Sequence, residues 1–396
     1  MTNIAILGFG VVGGGVADLI TKNSKEVAKL GGDEINIKYI LDLRDFPDSP
    51  FADRVIHDFN VILADGEVST VIEVMGGSHP AYEFTVAALE AGKNVITSNK
   101  EVVANFGDEF LALASKNGVS YRFEAAVGGG IPVISPMIHC IGQNKISEVR
   151  GILNGTTNYI LTKMFSFGDS FESALKDAQD RGYAERNPDA DVLGTDAARK
   201  ITILAALATG KLSDVNKIHT EGITGIRAAD VSVAEKLGCS IKLLGRCIAG
   251  EGDPFIFVAP FMLPATSALS GVSDVYNAVE VVADPLGNVM FYGKGAGAGA
   301  TASAVVGDLM QTMRIGGADA PKFEKTDAVR CFCEFTSRHY IALPKGACCE
   351  AKKVFEGAEF ICGDECAVIT GEMSEKELER KLSALTFTPL SHIRLL

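Results

Sequence analysis

A short apolar run at residues 3–7 passes directly into Gly8-Phe9-Gly10-Val11-Val12-Gly13 and then into an amphipathic stretch reaching Ile20. No other feature narrows the available folds as much. The first glycine permits a tight turn, the second lets backbone approach a pyrophosphate, and the third lets helix and strand pack closely, with the helix N-terminus facing the anion. A strand, a glycine turn and a helix in that order open a parallel, Rossmann-type α/β unit that binds a dinucleotide. The expected second strand, 35–41, ends in Asp42-Leu43-Arg44-Asp45. Asp42 suits a ribose 2′-hydroxyl, as NAD requires, and Arg44 suits the 2′-phosphate of NADP, so both cofactors stand.

Strands are expected at 71–74 and 94–97, separated by a helix at 81–91, and they end in Met75-Gly76-Gly77 and Ser98-Asn99-Lys100. A parallel sheet places its ligands at such ends, which puts Lys100 at a site mouth. A further strand, 119–123, runs into Glu124-Ala125-Ala126-Val127-Gly128-Gly129-Gly130-Ile131-Pro132. Three successive glycines expose backbone groups to a ligand or an ion. Glu124 is the only carboxylate there, and its plain alternative role is a helix cap or a surface charge.

The second informative stretch is residues 182–200, GYAERNPDADVLGTDAARK. It gathers Glu185, Asp189, Asp191 and Asp196 ahead of a helix that continues ITILAALATG. Asp196, Lys200, Leu204 and Leu207 fall on one stripe, so the Lys200 ammonium heads an otherwise apolar face and is expected to be half-buried. Thr195 is the expected N-cap and Gly210 the stop. Taken alone, Asp196 and Lys200 read as an i, i+4 surface pair.

Composition sets the outer bounds. A chain of 396 residues with 47% apolar content is long enough for two to three domains of about 150 residues. A net charge of −13, with no Lys/Arg-rich run, argues against a nucleic-acid surface. No apolar run approaches the ~20 residues of a bilayer span, and the glycine-rich N-terminus lacks the basic start of a signal peptide. Nine cysteines, an odd number in a core-rich chain, point to reduced thiols in the cytoplasm.

The motifs GFGVVG, SNK, EAAVGGGIP, NGTTNYI, GYAERNPDADVLGTDAARK and GKGAGAGATASAVVGD, in this order, together resemble the homoserine dehydrogenase family over residues 1 to about 320. The resemblance implies NAD(P)-dependent interconversion of L-homoserine and L-aspartate 4-semialdehyde, a step toward threonine, isoleucine and methionine. It implies that Gly8, Phe9, Gly10, Val11, Val12 and Gly13 hold the pyrophosphate. Ser98 and Lys100 lie between cofactor and substrate, and Gly297 or Gly299 meets the nicotinamide end. Glu185 and Asp196 bind the substrate ammonium with support from Asp191, and Lys200 is the acid/base. A monovalent cation, usually sodium in this family, would sit at Glu124, Val127, Gly129 and Ile131. A homo-oligomer, dimer or tetramer, is implied as well.

This chemistry suits the residues present. Hydride transfer from a primary alcohol needs the cofactor for the hydride and one protein group for the hydroxyl proton. For Lys200 to take that proton its pKa must fall, which burial and a second ammonium at Lys100 favour and Asp196 opposes. An inactive nucleotide-sensing protein is the alternative function, and it would keep the glycine loop while losing Lys100 or Lys200; both are present. A phosphate-dependent dehydrogenase of the same semialdehyde would need a nucleophilic cysteine, and Cys140 is the only cysteine in the first half.

The expected organisation is a nucleotide-binding domain at 1–130 with a returning helix at about 302–320, an α+β substrate and dimerisation domain at 131–301, and a tail at 324–396. Within the middle domain, alternation marks strands at 255–258, 280–282 and 289–292 of a mostly antiparallel sheet, and His219 reads as a structural histidine. The tail reads βαββαβ, with its first strand at 329–336, and resembles a shortened ACT domain. The turn expected after that first strand is missing, because Ser337-Arg338-His339-Tyr340 stands there. Six cysteines in the tail, 331, 333, 348, 349, 362 and 366, are expected to be small buried hydrophobes, with a redox bridge between subunits as the alternative.

Overall fold

Six parallel strands build the N-terminal sheet: β1 (Thr2–Leu7), β2 (Ile35–Leu41), β3 (Val55–Ile56), β4 (Val68–Glu73), β5 (Asn94–Thr97) and β6 (Tyr121–Arg122). The computed structural model describes residues 1–396 apart from 318, 319, 363 and 364. Ile4, Ile6, Val71, Ile72, Val95 and Ile96 are fully buried, as strands covered on both faces must be. The strand order β3-β2-β1-β4-β5-β6 reverses between β1 and β4, which opens a ligand crevice beyond their C-terminal ends. Gly8, directly after β1, has φ +93°. A Cβ on Gly13 would stand 2.0 Å from the Gly8 carbonyl oxygen, so the helix Val11–Lys22 can lie this close only with glycine there.

The returning helix is Ala298–Ile315, starting four residues earlier than expected; residues 318 and 319 of the expected range lie outside the described residues. Its Ala302, Val305, Val306 and Leu309 join Ile4, Ile6, Val16, Ala17 and Ile20 in one core. A Cβ on Gly15 would lie 3.0 Å from the Ala298 carbonyl oxygen. The starts of the two helices are therefore side by side.

The second sheet has eleven strands among the described residues. Its main path runs Gly287–Lys294, Tyr276–Asp284, Lys145–Ile152, Cys239–Ile248, Phe255–Pro264, Ser391–Leu395, Thr336–Leu343, Cys366–Ile369 and Glu359–Cys362. The tail strand Ser391–Leu395 runs parallel to Phe255–Pro264, pairing Arg394 with Phe261, and antiparallel to Thr336–Leu343. The tail strands thus continue the preceding sheet. Within the tail the order is last, first, third, second, all antiparallel, with helices Cys348–Val354 and Glu375–Leu382. This is the split βαβ arrangement of ferredoxin-like units.

Four expectations are corrected. The first tail strand is Thr336–Leu343, not 329–336, because Phe332 and Phe335 pack on Phe257 from a single 3₁₀ turn, Phe332–Glu334. Ser337 to Tyr340 therefore lie inside the strand. The turn after it is Pro344-Lys345-Gly346, with Gly346 at φ +91°, so a glycine turn is present after all. Most tail cysteines are not buried: Cys331, Cys349 and Cys362 are exposed and only Cys366 is fully inside. Cys331 pairs with Cys333 and Cys348 with Cys366 as disulfides, so four of the nine cysteines are not the reduced thiols expected. Finally, Thr195 is the first helical residue, not the cap, and Gly194 caps at φ +85°.

Candidate active site

The helix Thr195–Thr209 is the most enclosed element near the crevice: Ala197, Ala198, Ile201, Thr202, Ile203, Leu204, Ala205 and Ala206 are all buried. Its close seat on the large sheet depends on Gly245, whose Cβ would meet Ile201 at 3.0 Å. Its start is fixed by Gly222, where a Cβ would stand 2.0 Å from the Val192 carbonyl oxygen. Enclosed along most of its length, the helix carries Asp196 and Lys200 inward. Lys200 is 8% exposed, more deeply set than the half-buried position expected.

Lys200 Nζ donates to Asp196 Oδ2 at 2.7 Å and to the Leu153 carbonyl at 2.8 Å. Lys100 reaches the same carboxylate from the other sheet, with Nζ 2.7 Å from Asp196 Oδ1. It opens the helix Lys100–Asn117, which Asn99 caps by accepting from Glu101 N at 3.1 Å. Arg199 and Glu101, 3.2 Å apart, tie the two helices together. The lysine, carboxylate and lysine thus form one chain across the seam between the nucleotide sheet and the large sheet.

Asn154 completes the cluster, and sequence reasoning did not single it out. Its Nδ2 donates to Asp191 Oδ1 at 2.7 Å and to Asp196 Oδ2 at 2.9 Å. Its Oδ1 accepts from Thr157 N at 2.8 Å as the cap of the helix Gly155–Phe167. The available signal was that cap position, directly after a strand and inside NGTTN.

Burial pushes the Lys200 pKa down, against the pull of Asp196 and with help from the Lys100 charge. Burial would raise the Asp196 carboxyl, but Lys200 and Lys100 outweigh it and hold it well below the usual range. Burial raises Asp191, and the neighbouring Asp196 charge adds to this. A buried lysine with a lowered pKa, a fixed carboxylate and a second ammonium in one crevice is a proton-transfer arrangement.

Glu185 is not part of this cluster. It is exposed in the loop before the helix, and its carboxylate makes no hydrogen bond or ion pair among the described residues. Asp191 keeps one oxygen unengaged there. His219 is a paired structural residue, 2.6 Å from Glu221 and stacked on Phe332.

The nucleotide end fits a dinucleotide. The helix Val11–Lys22 has no side-chain cap and no acidic residue in its first turn, so its leading N–H groups face the crevice for a phosphate. Asp42 Oδ2 accepts from Phe9 N at 2.8 Å and its carboxylate is bidentate with exposed Arg44 at 2.9 and 3.0 Å. Ser98 N donates to the Glu73 carbonyl at 3.3 Å, below the Lys100 helix. Gly297, at φ +116°, caps the returning helix and Gly299 lies in its first turn. Both are thus beside the glycine loop.

The Glu124 carboxylate accepts from the backbone N–H groups of Val133, Ile134 and Ser135 at 2.7, 2.9 and 2.6 Å, which caps the helix Ile134–His139. Gly128 and Gly129 both have positive φ, and Gly129 sits so close to Gly295 that a Cβ would come within 2.5 Å of its carbonyl oxygen. Among the described residues, no hydrogen bond falls on the carbonyl oxygens of Val127, Gly129 or Ile131.

A doubly wound nucleotide sheet joined at a lysine-carboxylate-lysine seam to a mixed substrate sheet defines a nicotinamide-dependent oxidoreductase. Residues 8–124 match the family model described as homoserine dehydrogenase, NAD binding domain, and residues 132–310 match that described as homoserine dehydrogenase. The homoserine dehydrogenase of Neisseria gonorrhoeae is 40% identical over 323 residues, 80% of this chain and 73% of that protein. That of Bacillus subtilis is 38% identical over 323 residues, 79% of this chain and 74% of that protein. The crystal structure of a homoserine dehydrogenase from Thiobacillus denitrificans superposes with a TM-score of 0.93 at 32% identity, covering 100% of this chain and 98% of that one. A hyperthermophilic archaeal homoserine dehydrogenase mutant in complex with NADPH is 27% identical, with a TM-score of 0.69 over 80% of this chain and 99% of that one. The chain belongs to the homoserine dehydrogenase family. It is an NAD(P)-dependent oxidoreductase of amino-acid biosynthesis, and among its described residues no helix is long and apolar enough to cross a membrane.

Proposed function

We propose that Lys200 takes the hydroxyl proton of L-homoserine on oxidation and returns it on reduction, with Lys100 and Asp196 setting its charge and position. The observation that carries this reading is the shared carboxylate: Asp196, itself buried on a largely enclosed helix, binds both ammonium groups at 2.7 Å. NAD(P), when bound, supplies the hydride chemistry; the glycine loop 8–13, Ser98, Lys100 and Gly297 or Gly299 would hold it. Because Lys100, Lys200 and Asn154 engage both oxygens of Asp196, Glu185 and the remaining oxygen of Asp191 are the acids left for the substrate ammonium. Asp196 then acts mainly on the lysines and less on the substrate than its resemblance-based role implies.

Replacing Lys200 with Ala is expected to lower kcat by about 10²–10⁴ and leave cofactor affinity near normal, since only a proton step is removed. Glu185→Gln is expected to raise KM for homoserine with kcat little changed, because the ammonium contact exists in ground and transition states alike. Steady-state kinetics with cofactor titration checks both. Full turnover in the Lys200 variant removes its assignment, and an unaltered KM in the Glu185 variant returns that residue to the surface.

The same proposal covers the finer points. Arg44, exposed beside Asp42, favours NADP over NAD through a 2′-phosphate contact. A sodium ion would take the carbonyl oxygens of Val127, Gly129 and Ile131, hard donors that accept no hydrogen bond among the described residues, and share the Glu124 carboxylate with its three N–H groups. A homo-oligomer, dimer or tetramer, is supported by the edge strand Gly287–Lys294, which leaves Met290 and Tyr292 exposed, and the cytoplasm is its proposed compartment. We keep the division into 1–130 with the returning helix, 131–301 and an ACT-like 324–396, the tail's strand order being what supports the last.

A further inference from the structure

His339 and His392 lie on neighbouring antiparallel strands of the tail, where His339 is registered with Arg394 and Ile341 with His392. The two histidines are therefore diagonal neighbours on one sheet face. Glu375 opens the helix that covers this face. One ligand atom from each of the three residues falls within 4.8 Å of the others. His339 Nδ1 is 2.9 Å from His392 Nε2 and 4.0 Å from Glu375 Oε1.

The hydrogen bonds set the tautomers. His339 Nε2 is 3.2 Å from the Met373 carbonyl, which only accepts, so Nε2 carries the proton and Nδ1 of the neutral ring presents a lone pair. A backbone carbonyl on the distal nitrogen is the outer-sphere arrangement that orients metal-binding imidazoles. His392 Nε2 faces that lone pair with one proton between the two rings, and a metal ion can take its place once the His392 ring, still neutral, carries its proton on Nδ1.

Charge and access agree. Arg394, 1% exposed, is bidentate with Glu221 at 2.7 and 2.7 Å and with Glu375 at 2.6 and 2.9 Å. Two carboxylates, both partly exposed, against one guanidinium leave a net negative charge beside two imidazoles. A cavity of about 680 Å³, lined by Glu221, Glu375, His392 and Arg394 among others, opens onto the cluster. It gives an ion a way in and leaves room for a water as fourth ligand.

We propose that His339, His392 and Glu375 form a divalent transition-metal site in the tail, with two imidazole nitrogens, one carboxylate and an open position toward the cavity. Such a donor set suits Zn²⁺ or Co²⁺ and not Mg²⁺ or Ca²⁺. Metal–nitrogen bonds of about 2.0–2.1 Å at tetrahedral angles separate ligand atoms by about 3.3 Å. The two imidazoles need only part by a few tenths of an ångström, and Glu375 needs to close by somewhat more.

The test uses the full-length enzyme, stripped with chelator and with its thiols blocked by iodoacetamide so that cysteine cannot compete. Titration with Co²⁺, followed by its visible absorption, and with Zn²⁺ by calorimetry is expected to give one equivalent per chain. Glu375→Gln and His392→Gln should each weaken binding at least tenfold while leaving homoserine oxidation unchanged. Crystals of the unaltered chain soaked in Zn²⁺ should show an anomalous peak between the three side chains, a readout that does not depend on the variants folding. No saturable equivalent, variants that bind as tightly as the parent, or a peak only elsewhere would overturn the site.

Discussion

Asp196 has two oxygens and three donors, and that imbalance sets the chemistry of the residues around it. Lys100, Lys200 and Asn154 converge on it from three different elements, so its ionisation and position are determined together. Lys100 and Lys200 were legible in the sequence, because a lysine after a parallel strand and a lysine on an apolar helix face each call for a reason. Asn154 was not, since an asparagine before Gly-Thr-Thr satisfies the rules for a helix cap and gives no sign of the two carboxylates it also serves. Glu185 shows the opposite limit: its motif marked it, but only substrate can bring an exposed loop carboxylate into use. At this scale Arg44 carries a prediction about the cofactor. Its guanidinium is held by Asp42 at the end of β2, where a 2′-phosphate would stand. Arg44→Ala is expected to weaken NADP by about 1.5–3 kcal/mol and spare NAD, measured by fluorescence titration of each reduced cofactor. Equal losses would remove Arg44 from phosphate recognition.

The elements were legible where one physical cause governs a whole segment. Buried parallel strands read as continuous Val and Ile runs, and β2 falls at 35–41 as expected. The tail's first strand was displaced because Val329, Cys331, Cys333 and Phe335 alternate with other residues as a strand does, whereas Phe332–Glu334 form a 3₁₀ turn. The true strand holds Arg338 and His339, whose side chains bond the Thr370 carbonyl, His392 and the Met373 carbonyl, partners that sequence periodicity cannot show. Glycine packing was equally hidden. Gly222 has Val192 backbone where its Cβ would be, whereas Gly225 has nothing within 4 Å. Gly222→Ala is expected to cost on the order of 1–3 kcal/mol and to misplace the Lys200 helix, while Gly225→Ala is expected to be neutral or slightly stabilising. Urea midpoints of the two variants check this, and equal midpoints would mean that the Gly222 contact yields without cost.

At the scale of the whole molecule, the tail is fastened to the substrate sheet by the last strand and by Glu221, which binds Arg394 and His219. Burial would push the Glu221 carboxyl up, but these two partners hold it down at about 2. A depressed carboxyl stabilises the fold above its unfolded pKa and loses that contribution as pH falls toward its folded value. Stability is therefore expected to drop by roughly 2–3 kcal/mol as pH falls from about 4.5 to about 2. In Glu221→Gln this part of the acid transition should vanish, as urea unfolding at stepped pH would record; an identical acid slope in both proteins would place the fastening elsewhere. The join was not legible in the sequence, since pairing between residues 261 and 394 is set by the meeting of two sheets and not by any local pattern.

The central claim is that the proton of the substrate hydroxyl passes through Lys200, whose pKa is lowered by burial. The most direct measurement is the single-turnover rate of hydride transfer against pH in both directions, in the parent and in Lys200→Ala. A lysine that must be neutral to accept a proton and charged to return one makes oxidation rise and reduction fall with pH through the same ionisation. That ionisation should lie below an ordinary lysine's and be absent from the variant. If the variant kept the same pH dependence in both directions, the proton would travel by another group and the role given to Lys200 would be wrong.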